Sequence, residues 1–503
     1  MNPLRTPVLV GAAQYTDRDG APRTALAPPD MLAKVGAAAL ADSGGRGIEV
    51  DALAVIRLFA DTRPEYRVSS SAYTNLPRSM ARRMRQAPAR LLYGPIGGNT
   101  PQMLVNMLAE DIRHGAIDVA MVAGCEALRT QARAKRAGLE LGWSEDTGDS
   151  PETLGPETVL ASPHEMAHGI ALPVNVYPLF ESALGAHYGR TPLEHRRKLG
   201  ELMGRLAQVA ADNPYAALPV RRSAAELVTP SGENRYIGYP YTKYLNSNMF
   251  VDQAAAVLLM SSAAADRAGV PEAKRVFLHG CADVNEKILV SSRVDYHSSP
   301  AIRVGAAHAL AQAGVAPADL DHIELYSCFP AAVEIAADMI GVAHDDPRGL
   351  TLTGGLPYFG GPGNNYSTHG IAEMVTRCRG RPGSVGLVFA NGGYLSKHSF
   401  GVYSTAPAHD WSRVDPASQQ REIDAMVSPV FTETPSGSAS VEACTVIHEQ
   451  GQPAYAIVIG RLDDGRRFLA QARERLDALI DVPVVGRRIA VTPGSPVNEA
   501  RLI

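Results

Sequence analysis

Short apolar runs alternate along the chain with helical apolar stripes, and this alternation is the first structural signal in the sequence. The run Val8–Ala13 leads straight into charged turn residues and predicts a first strand. The run Ala254–Ala265 is bounded by Asp252 and Asp266 and is shorter than the roughly 18 to 20 apolar residues that a membrane span needs. The pattern therefore favours an α/β fold with mainly buried strands and predicts no transmembrane segment.

A unit of one helix followed by one strand occurs twice. A helical stripe at Val35–Gly44 precedes an apolar run that starts at Ile48, and a similar stripe at Val304–Gly314 precedes a run that starts at Ala318. In each copy glycine closes the helix, and a short loop with an acidic cap leads into the strand. These two segments are the first sign of an internal duplication.

A second pair of similar segments follows in the same order. The helical stripe Asn99–Gly115 leads into the strand Asp118–Gly124, and the stripe Asn365–Gly380 leads into the strand Val385–Asn391. Two matches in the same order predict two like halves of paired α/β layers. The alternative is a chance similarity between alanine-rich helices.

The two remaining segments differ in character from the repeats. Residues 126 to about 250 interrupt the first copy and are rich in Pro, Tyr, Asn and charge; they predict one helix at Glu181–Ala211 and a loop at Asn213–Asn248. Beyond 406, Glu449–Gly451 and Asp463–Gly465 are hairpin turn signals between alternating apolar positions. We therefore expect a linker and a small, mostly β, barrel-like domain after the duplicated halves.

The expected domain boundaries follow from these segments. They are an N-terminal half at 1–270 with an inserted loop domain at 126–250, a C-terminal half at 271–405, a linker at 406–425 and an additional β domain at 426–503.

Composition narrows the classes of partner. The 503 residues carry a formal charge of −4, with 48 basic and 52 acidic side chains, so no charge excess favours nucleic acid or an anionic membrane as a partner. The cysteines are scattered and form no C-x-x-C pair, which argues against a disulfide framework or a cysteine zinc site and favours a reducing, cytoplasmic location. They are Cys125, Cys281, Cys328, Cys378 and Cys444.

Several glycine-rich motifs in the two halves resemble those of the thiolase superfamily. They are Gly115–Glu126, Tyr326–Phe329, Gly354-Gly355 followed by Gly360–Pro362, and Ala390–Gly393. The resemblance covers residues 5 to about 405. It implies two similar halves in a five-layered αβαβα arrangement and a ligand of the acyl-CoA type.

The residues that carry thiolase chemistry are nevertheless replaced. That chemistry needs a cysteine nucleophile, an activating histidine, a second cysteine and a water-holding Asn or His. Counting back from Gly115, the resemblance puts these positions at Gly98, Gly361, Ala390 and Tyr326. Claisen catalysis through an acylated cysteine is therefore not expected.

A binding pocket can survive the loss of the nucleophile. Gly97 and Gly98 precede a helix whose N-terminal amides could accept a thioester carbonyl or a phosphate. The substrate-binding residues that we expect are Gly97, Gly98, Asn99, Gly360, Gly361, Asn391 and Gly392. We expect no cofactor or metal, only a coenzyme A thioester as substrate or ligand.

Three side chains are candidates for proton transfer. The Tyr326 phenol could act as an acid or oxyanion donor, and His398 and His369 could act as bases. Each has a structural alternative: Tyr326 as a core aromatic, His398 as a strand-edge residue and His369 as a neutral histidine at a helix start. Cys328 and Cys125 fit small buried apolar residues better than nucleophiles.

One segment matches the zinc-protease pattern H-E-x-x-H. In His164-Glu165-Met166-Ala167-His168 the helix that the motif needs is confined between Pro163 and Gly169. We interpret this match as a coincidence within the insertion.

Three basic clusters could contact the nucleotide end of coenzyme A. They are Arg133–Arg136, His195–Lys198 and Arg221-Arg222, and a solvated charged face is the alternative for each. Two hypotheses follow for the whole chain: an acyl-CoA enzyme, such as a retro-aldolase, that uses Tyr326 and His398, or a protein that binds acyl-CoA or a partner without turnover. The resemblance also implies a homodimer as the default assembly.

Overall fold

A computed structural model describes residues 3–62, 72–155, 158–408 and 411–503. The strands are β1 Pro7–Asp17, β2 Ala52–Val55, β3 Arg90–Tyr93, β4 Val119–Ala127, β5 Glu152–Thr153, β6 Tyr236–Gly238, β7 Tyr241–Thr242, β8 Asp252–Ser261, β9 Val276–Asn285, β10 His322–Leu325, β11 Val385–Gly392, β12 Lys397–Ser404, β13 Gly437–Glu449, β14 Gln452–Leu462, β15 Arg467–Ala472, β16 Arg488–Thr492 and β17 Glu499–Leu502. The helices are α1 Pro28–Asp42, α2 Phe59–Thr62, α3 Leu76–Met84, α4 Thr100–His114, α5 Leu128–Arg136, α6 Pro163–Ala167, α7 Pro173–His187, α8 Pro192–Asp212, α9 Ala224–Val228, α10 Ser262–Arg267, α11 Pro300–Ala313, α12 Pro330–Ile340, α13 Tyr366–Gly380 and α14 Pro416–Asp424.

The main sheet repeats one strand order in its two halves. The first half runs β3-β2-β4-β8-β1, and the second runs β10-β11-β12-β9; the two join edge to edge where β1 pairs with β9. In place of a further edge strand, the chain near Leu350 lies beside β10, and its carbonyl oxygen accepts a hydrogen bond from the Leu325 amide (2.9 Å). The predicted duplication of an α/β unit is confirmed.

Two helices form the middle layer of the fold. Helices α4 and α13 pack against each other, and each also contacts strands of both halves. Helix α4 ends at Gly115, whose φ of 80° closes the helix in the left-handed conformation. Because both helices are surrounded by protein, α13 buries most of its length, including polar residues such as His369. The start of each middle helix is therefore an interior position.

The single helix predicted at Glu181–Ala211 is wrong in its extent. The structure has two helices, α7 and α8, separated by a turn in which Gly189 adopts a φ of 64°. Helix α8 begins anew because the Thr191 hydroxyl accepts a hydrogen bond from the Glu194 amide, and the Glu194 carboxylate accepts one from the Thr191 amide. The predicted loop Asn213–Asn248 also contains α9, β6 and β7.

The additional C-terminal sheet closes on itself. Strand β13 pairs with β14 on one side and with β16 on the other, while β14–β15, β15–β17 and β17–β16 complete the ring. Strands β6 and β7 of the insertion extend the sheet outward from β13. The segment expected as a linker contains α14, which packs on β9 and α11. Because β6 and β7 belong to the insertion, the insertion contributes two strands to the C-terminal sheet.

One fully buried arginine connects the barrel to the second half. The Arg467 side chain is 0% exposed, and its Nε donates to Glu442 Oε2 (2.6 Å). Its terminal nitrogens donate to the carbonyl oxygens of Ser291, Arg293 and Val294. The Arg293 guanidinium in turn donates to the carbonyl oxygens of Tyr394 (2.9 Å) and Leu395 (2.7 Å), immediately before β12.

None of the helices in the described ranges is both long enough and apolar enough to cross a membrane.

Candidate functional site

The start of α4 brings together residues from both halves. The Gly97 amide donates to Asn364 Oδ1 (2.9 Å), and the Ser367 hydroxyl donates to the carbonyl oxygen of Gly98 (2.7 Å). The Asn99 side chain reaches β12, where its Nδ2 donates to Ser399 Oγ (3.3 Å). Gly97, Gly98 and Asn99 are all buried. The expected pocket residues at this helix start therefore lie at the interface of the two halves.

The Tyr326 side chain occupies the place of a nucleophile at Gly98. A Cβ atom at Gly98 would lie 2.2 Å from the Tyr326 hydroxyl oxygen and 2.5 Å from the carbonyl oxygen of Asn391, closer than such atoms approach. Burial raises the pKa of Tyr326 well above its usual value, so the phenol is neutral. Within the described residues, the hydroxyl makes no hydrogen bond. A cysteine at Gly98 would not fit beside this tyrosine.

The other replaced positions are also closed by neighbouring side chains. A Cβ atom at Gly361 would lie 2.3 Å from Ser247 Oγ, so this serine fills the space beside the expected histidine position. Ala390 is fully buried in β11. Gly360 lies against Gln253 and Gly361 against Ser247, in the loop that leads to Asn364. The contacts described for these two glycines do not include Gly98.

Asn391 and Cys328 lie next to the tyrosine. Asn391 Nδ2 donates to the Tyr177 hydroxyl (2.9 Å) and lies 3.9 Å from Cys328 Sγ, while its Oδ1 has no hydrogen-bond partner in the described chain. Burial raises the pKa of Cys328 to about 12, so this group is a thiol at neutral pH. All five cysteines are buried.

The two candidate histidines are both buried. His398 packs beside Phe389, and neither ring nitrogen has a hydrogen-bond partner in the described ranges; burial, and then the nearby Arg293, lowers its pKa to about 3. His369 Nδ1 hydrogen-bonds Gln14 Oε1 (2.8 Å), and burial lowers its pKa to about 3. Both are neutral at physiological pH, and their roles as bases stay predictions.

One charged side chain at this site was missed by the sequence analysis. The Lys397 ammonium donates to the carbonyl oxygen of Ile96, and its Nζ would lie 3.0 Å from a Cβ atom at Gly97. Burial lowers its pKa to about 8. The signal in the sequence is a single lysine, four residues after Gly393, at the start of a strand that is otherwise buried.

The H-E-x-x-H segment is occupied by structural contacts. Glu165 closes a capping box with Ser162, and its second oxygen accepts a hydrogen bond from the Ser291 amide (2.7 Å). His168 Nδ1 is 2.8 Å from the carbonyl oxygen of His164, and its Nε2 accepts a hydrogen bond from the Asn498 amide (3.0 Å). These contacts tie the insertion to the second half and to the barrel.

The three basic clusters separate into paired and unpaired groups. Arg197 and Lys198 pair with Glu201, while Arg221 and Arg222 pair with Asp212 and Glu226. In contrast, no ion pair joins Arg18, Arg133 or Arg136 to a described residue.

The three unpaired arginines line one cavity. This arginine cavity, of about 320 Å³, is bordered by one carboxylate, Asp17, and by Arg18, Arg129, Arg133, Arg136, Asn248, Phe250 and Val251. It adjoins the glycine loop, because the Gly361 amide donates to the carbonyl oxygen of Asn248 (2.8 Å).

A second group of titratable side chains lies under the barrel. Glu181 Oε1 is 2.5 Å from His195 Nε2, and Glu181 Oε2 accepts a hydrogen bond from the Tyr241 hydroxyl (2.5 Å). Arg190 lies 3.4 Å from Glu334 Oε1 and 3.3 Å from His195 Nδ1. Glu181, His195 and Glu334 are buried and form the acidic cluster. A cavity of about 80 Å³ between α7, α8 and the barrel is lined in part by Glu181, Arg190 and His195.

The acidic cluster contains shifted carboxyl groups. Burial raises the pKa of Glu181 to about 7, and burial together with Glu181 raises the pKa of Glu334 well above its usual value. Burial lowers the pKa of His195. Because Arg190 can donate to Nδ1, the neutral imidazole can donate from Nε2 to Glu181.

The duplicated strand order, the two middle helices and the glycine site at the start of α4 define a thiolase-like fold. A crystal structure of a monomeric SCP2-thiolase like protein type 1 from Mycobacterium smegmatis is 37% identical, covers 100% of both chains and superposes with a TM-score of 0.85. Residues 419–495 match the thiolase-like protein type 1 additional C-terminal domain. The chain therefore belongs to the SCP2-thiolase-like proteins of type 1.

More distant structures share only the fold. The Ltp2-ChsH2(DUF35) aldolase is 17% identical, with 80% of this chain and 98% of that chain covered and a TM-score of 0.59. An acetyl-CoA acetyltransferase from Syntrophomonas wolfei is 18% identical, with 80% and 99% covered and a TM-score of 0.56. A search of curated proteins finds no match.

Proposed function

We propose that this chain binds a coenzyme A thioester and does not form an acyl-enzyme on cysteine. The observation that carries the second part is the Tyr326 hydroxyl in the place of the nucleophile, 2.2 Å from a Cβ atom at Gly98. The buried thiols support it, because a thiol with its pKa raised by burial is a poor nucleophile at neutral pH.

The arginine cavity supports the first part of the proposal. Unpaired guanidinium groups bind phosphates bidentately, and an exposed aromatic side chain can stack on a base. Arg18, Arg133 and Arg136 supply the charge, and Phe250, 54% exposed, supplies the aromatic face. A nucleotide with several phosphates, such as the end of coenzyme A, suits this combination.

A continuous loop connects the cavity with the glycine site. Asn248 borders the cavity, and its carbonyl oxygen accepts a hydrogen bond from the Gly361 amide. Three residues after Gly361, the Asn364 side chain accepts a hydrogen bond from the Gly97 amide. We propose that the thioester arm follows this loop from the cavity toward the start of α4.

Calorimetric titration with coenzyme A tests the binding. We expect the double variant Arg133→Glu, Arg136→Glu to weaken binding at least roughly tenfold, since two favourable charges become repulsive. The matched control is Arg197→Glu, which reverses a charge that pairs with Glu201 away from the cavity. Equal affinity of the double variant and the wild type would rule out the arginine cavity.

Intact-mass measurement tests the absence of an acyl-enzyme. After incubation with acetyl-CoA or acetoacetyl-CoA, we expect no stable acyl adduct on any cysteine. Such an adduct would overturn this part of the proposal, whatever the outcome of the titration.

A second candidate is an acyl-CoA enzyme, such as a retro-aldolase. The observation that favours it is the neutral Tyr326 phenol, which lies at the start of α4 without a hydrogen-bond partner in the described chain and can donate a proton. Consumption of an enolisable acyl-CoA by the wild type would support this function if the variants Tyr326→Phe and His398→Ala no longer consume it. Turnover that survives both changes would assign no role to these side chains.

The edge of the main sheet bears on whether two copies of the chain assemble. Exposed sheet edges can pair between copies, but in this chain the outer edge of β3 pairs with β5, where Leu92 faces Glu152. We propose that this pairing disfavours the homodimer that the resemblance implies. We also propose that the protein acts in the cytoplasm. Light scattering during gel filtration distinguishes one chain from two.

A further inference from the structure

A small corner beside Gly97 contains two polar atoms that face one another across missing side chains. A Cβ atom at Gly97 would lie 2.5 Å from Asn99 Oδ1 and 3.0 Å from Lys397 Nζ. A Cβ atom at Gly392 would lie 2.6 Å from the same Asn99 oxygen. The absence of side chains at the two glycines thus lets the amide oxygen and the amine pack close to the backbone at the start of α4.

The amide oxygen in this corner has no partner. Asn99 is 6% exposed, and its Oδ1 makes no hydrogen bond in the described ranges. A buried amide oxygen without a partner costs free energy, and a ligand that donates a hydrogen bond would satisfy it.

The amine is available for chemistry. Within the described chain no carboxylate pairs with Lys397; its ammonium donates only to the carbonyl oxygen of Ile96. Lys397 is partly exposed, whereas Asn99 and Gly392 are buried, so the corner can be reached from the lysine side. Burial without a counter-charge destabilises the ammonium, which is consistent with a pKa of about 8.

We propose that Lys397 is a reactive amine that captures the carbonyl carbon of an aldehyde, a ketone or a 3-oxoacyl group as a Schiff base. This inference goes beyond coenzyme A binding and does not depend on it. It adds an amine nucleophile to a site that lacks the cysteine nucleophile of its fold.

The step balances without an oxidant or a further reactant. The lone pair of the neutral amine forms the C–N bond, and the carbonyl π electrons move to oxygen. After a proton passes from nitrogen to oxygen, a further proton allows the oxygen to leave as water, and an iminium ion forms. The Asn99 oxygen can accept a hydrogen bond from the carbinolamine hydroxyl or from the iminium N–H.

Reductive trapping tests the proposal. The whole protein is incubated near pH 7.5 with limiting butanal and cyanoborohydride, which converts an iminium ion into a stable secondary amine, and each lysine is then followed by peptide mass spectrometry. We expect Lys397 to be labelled at least roughly tenfold faster than ordinary lysines, because more of it is unprotonated. Lys287 is the matched control, since its amine also donates to a backbone carbonyl, of Asp424 (2.9 Å).

Two variants separate reactivity from folding. Lys397→Arg keeps the charge but cannot form a Schiff base, and we expect it to abolish the fast labelling while far-ultraviolet circular dichroism is unchanged. Asn99→Ala keeps the lysine, and we expect it to slow labelling severalfold. Equal labelling of Lys397 and Lys287 in the wild type would overturn the proposal.

The same assay with acetoacetyl-CoA distinguishes this inference from the proposed function. Trapping of butanal at Lys397 without any binding of coenzyme A would leave the amine in place and refute the thioester ligand. Binding of coenzyme A without trapping of either carbonyl compound would do the reverse.

Discussion

The start of α4 around Gly98, which Tyr326 and the carbonyl oxygen of Asn391 pack against and which we call the Gly98 corner, is buried, as is the acidic cluster, but the two differ in chemistry. At the corner Tyr326 is a neutral phenol, and the expected histidine position at Gly361 is closed by Ser247. In the cluster Glu181 and Glu334 lie with His195 beside Arg190. The cluster therefore gathers buried titratable groups where the insertion meets the second half, away from the start of α4.

The comparison also shows two ways in which an interior accommodates polar groups. The corner is filled by packing, so its tolerance depends on volume. In the cluster Glu181 instead depends on hydrogen bonds to His195 and Tyr241, so its tolerance depends on keeping these partners. Variants of the two regions should therefore fail for different reasons.

Removing one partner of the cluster is expected to have the largest effect. In His195→Leu, Glu181 Oε1 loses the imidazole that lies 2.5 Å away, and we expect a loss of about 3 kcal/mol in the free energy of unfolding. Urea denaturation measures this loss. Adding Glu181→Gln removes the unpaired carboxylate and should recover part of the loss; a single variant that costs less than about 1 kcal/mol would contradict the account.

Adding one methyl group at the corner should come next. Gly98→Ala places a Cβ atom 2.2 Å from the Tyr326 hydroxyl, and we expect a loss of about 2 kcal/mol from overpacking. Tyr326→Ser in the same chain should return about 1 kcal/mol of it by double-mutant cycle. The rescue stays partial because the Asn391 carbonyl oxygen, 2.5 Å from the same atom, does not move away with the side chain.

The residues of the Gly98 corner could be located from the sequence, whereas the contacts of the acidic cluster could not. The duplicated motifs fix the register of each half, so counting from Gly115 locates Gly98, and the Tyr326 motif falls opposite it. The contact between Glu181 and Glu334 instead joins the insertion to the second half. Periodicity carries no information on such a contact.

Local turn chemistry explains the error in the insertion. Apolar stripes lie on both sides of Tyr188–Thr191, so the prediction joined them into one helix, although Gly189 and the Thr191 cap separate two. The pairing of β6 with β13, which attaches the insertion to the barrel, rests on a single register pair, Gly238 with Ile447. Short strands of this kind have too few residues for a clear alternation.

The pH dependence of stability should distinguish the two regions at a smaller scale. The folded pKa of Glu181, about 7, lies above the unfolded value of about 4.3, so the folded state keeps a proton that the unfolded state has lost. Its contribution is full below about pH 4 and falls as pH rises to about 7, by up to about 1.4 kcal/mol per pH unit.

Glu181→Gln isolates this contribution. The difference in unfolding free energy between wild type and variant should fall steadily from pH 5 to pH 7 in urea titrations. His398 and His369, with folded pKa values of about 3 against about 6.5 in the unfolded chain, also make stability depend on pH in this window, but they are present in both proteins and cancel in the difference. A difference that does not change with pH would show that Glu181 ionises as freely in the folded protein as in the unfolded chain.

The smallest effect is expected for Tyr326→Phe. The hydroxyl makes no hydrogen bond in the described chain, so removing it leaves no partner unsatisfied. We expect the free energy of unfolding to change by less than about 0.5 kcal/mol. Because the ring still lies 2.6 Å from a Cβ atom at Gly98, the change should relieve Gly98→Ala less than Tyr326→Ser does. A loss above about 1 kcal/mol would mean that the hydroxyl supports the corner through a partner, and that packing alone does not fill the nucleophile position.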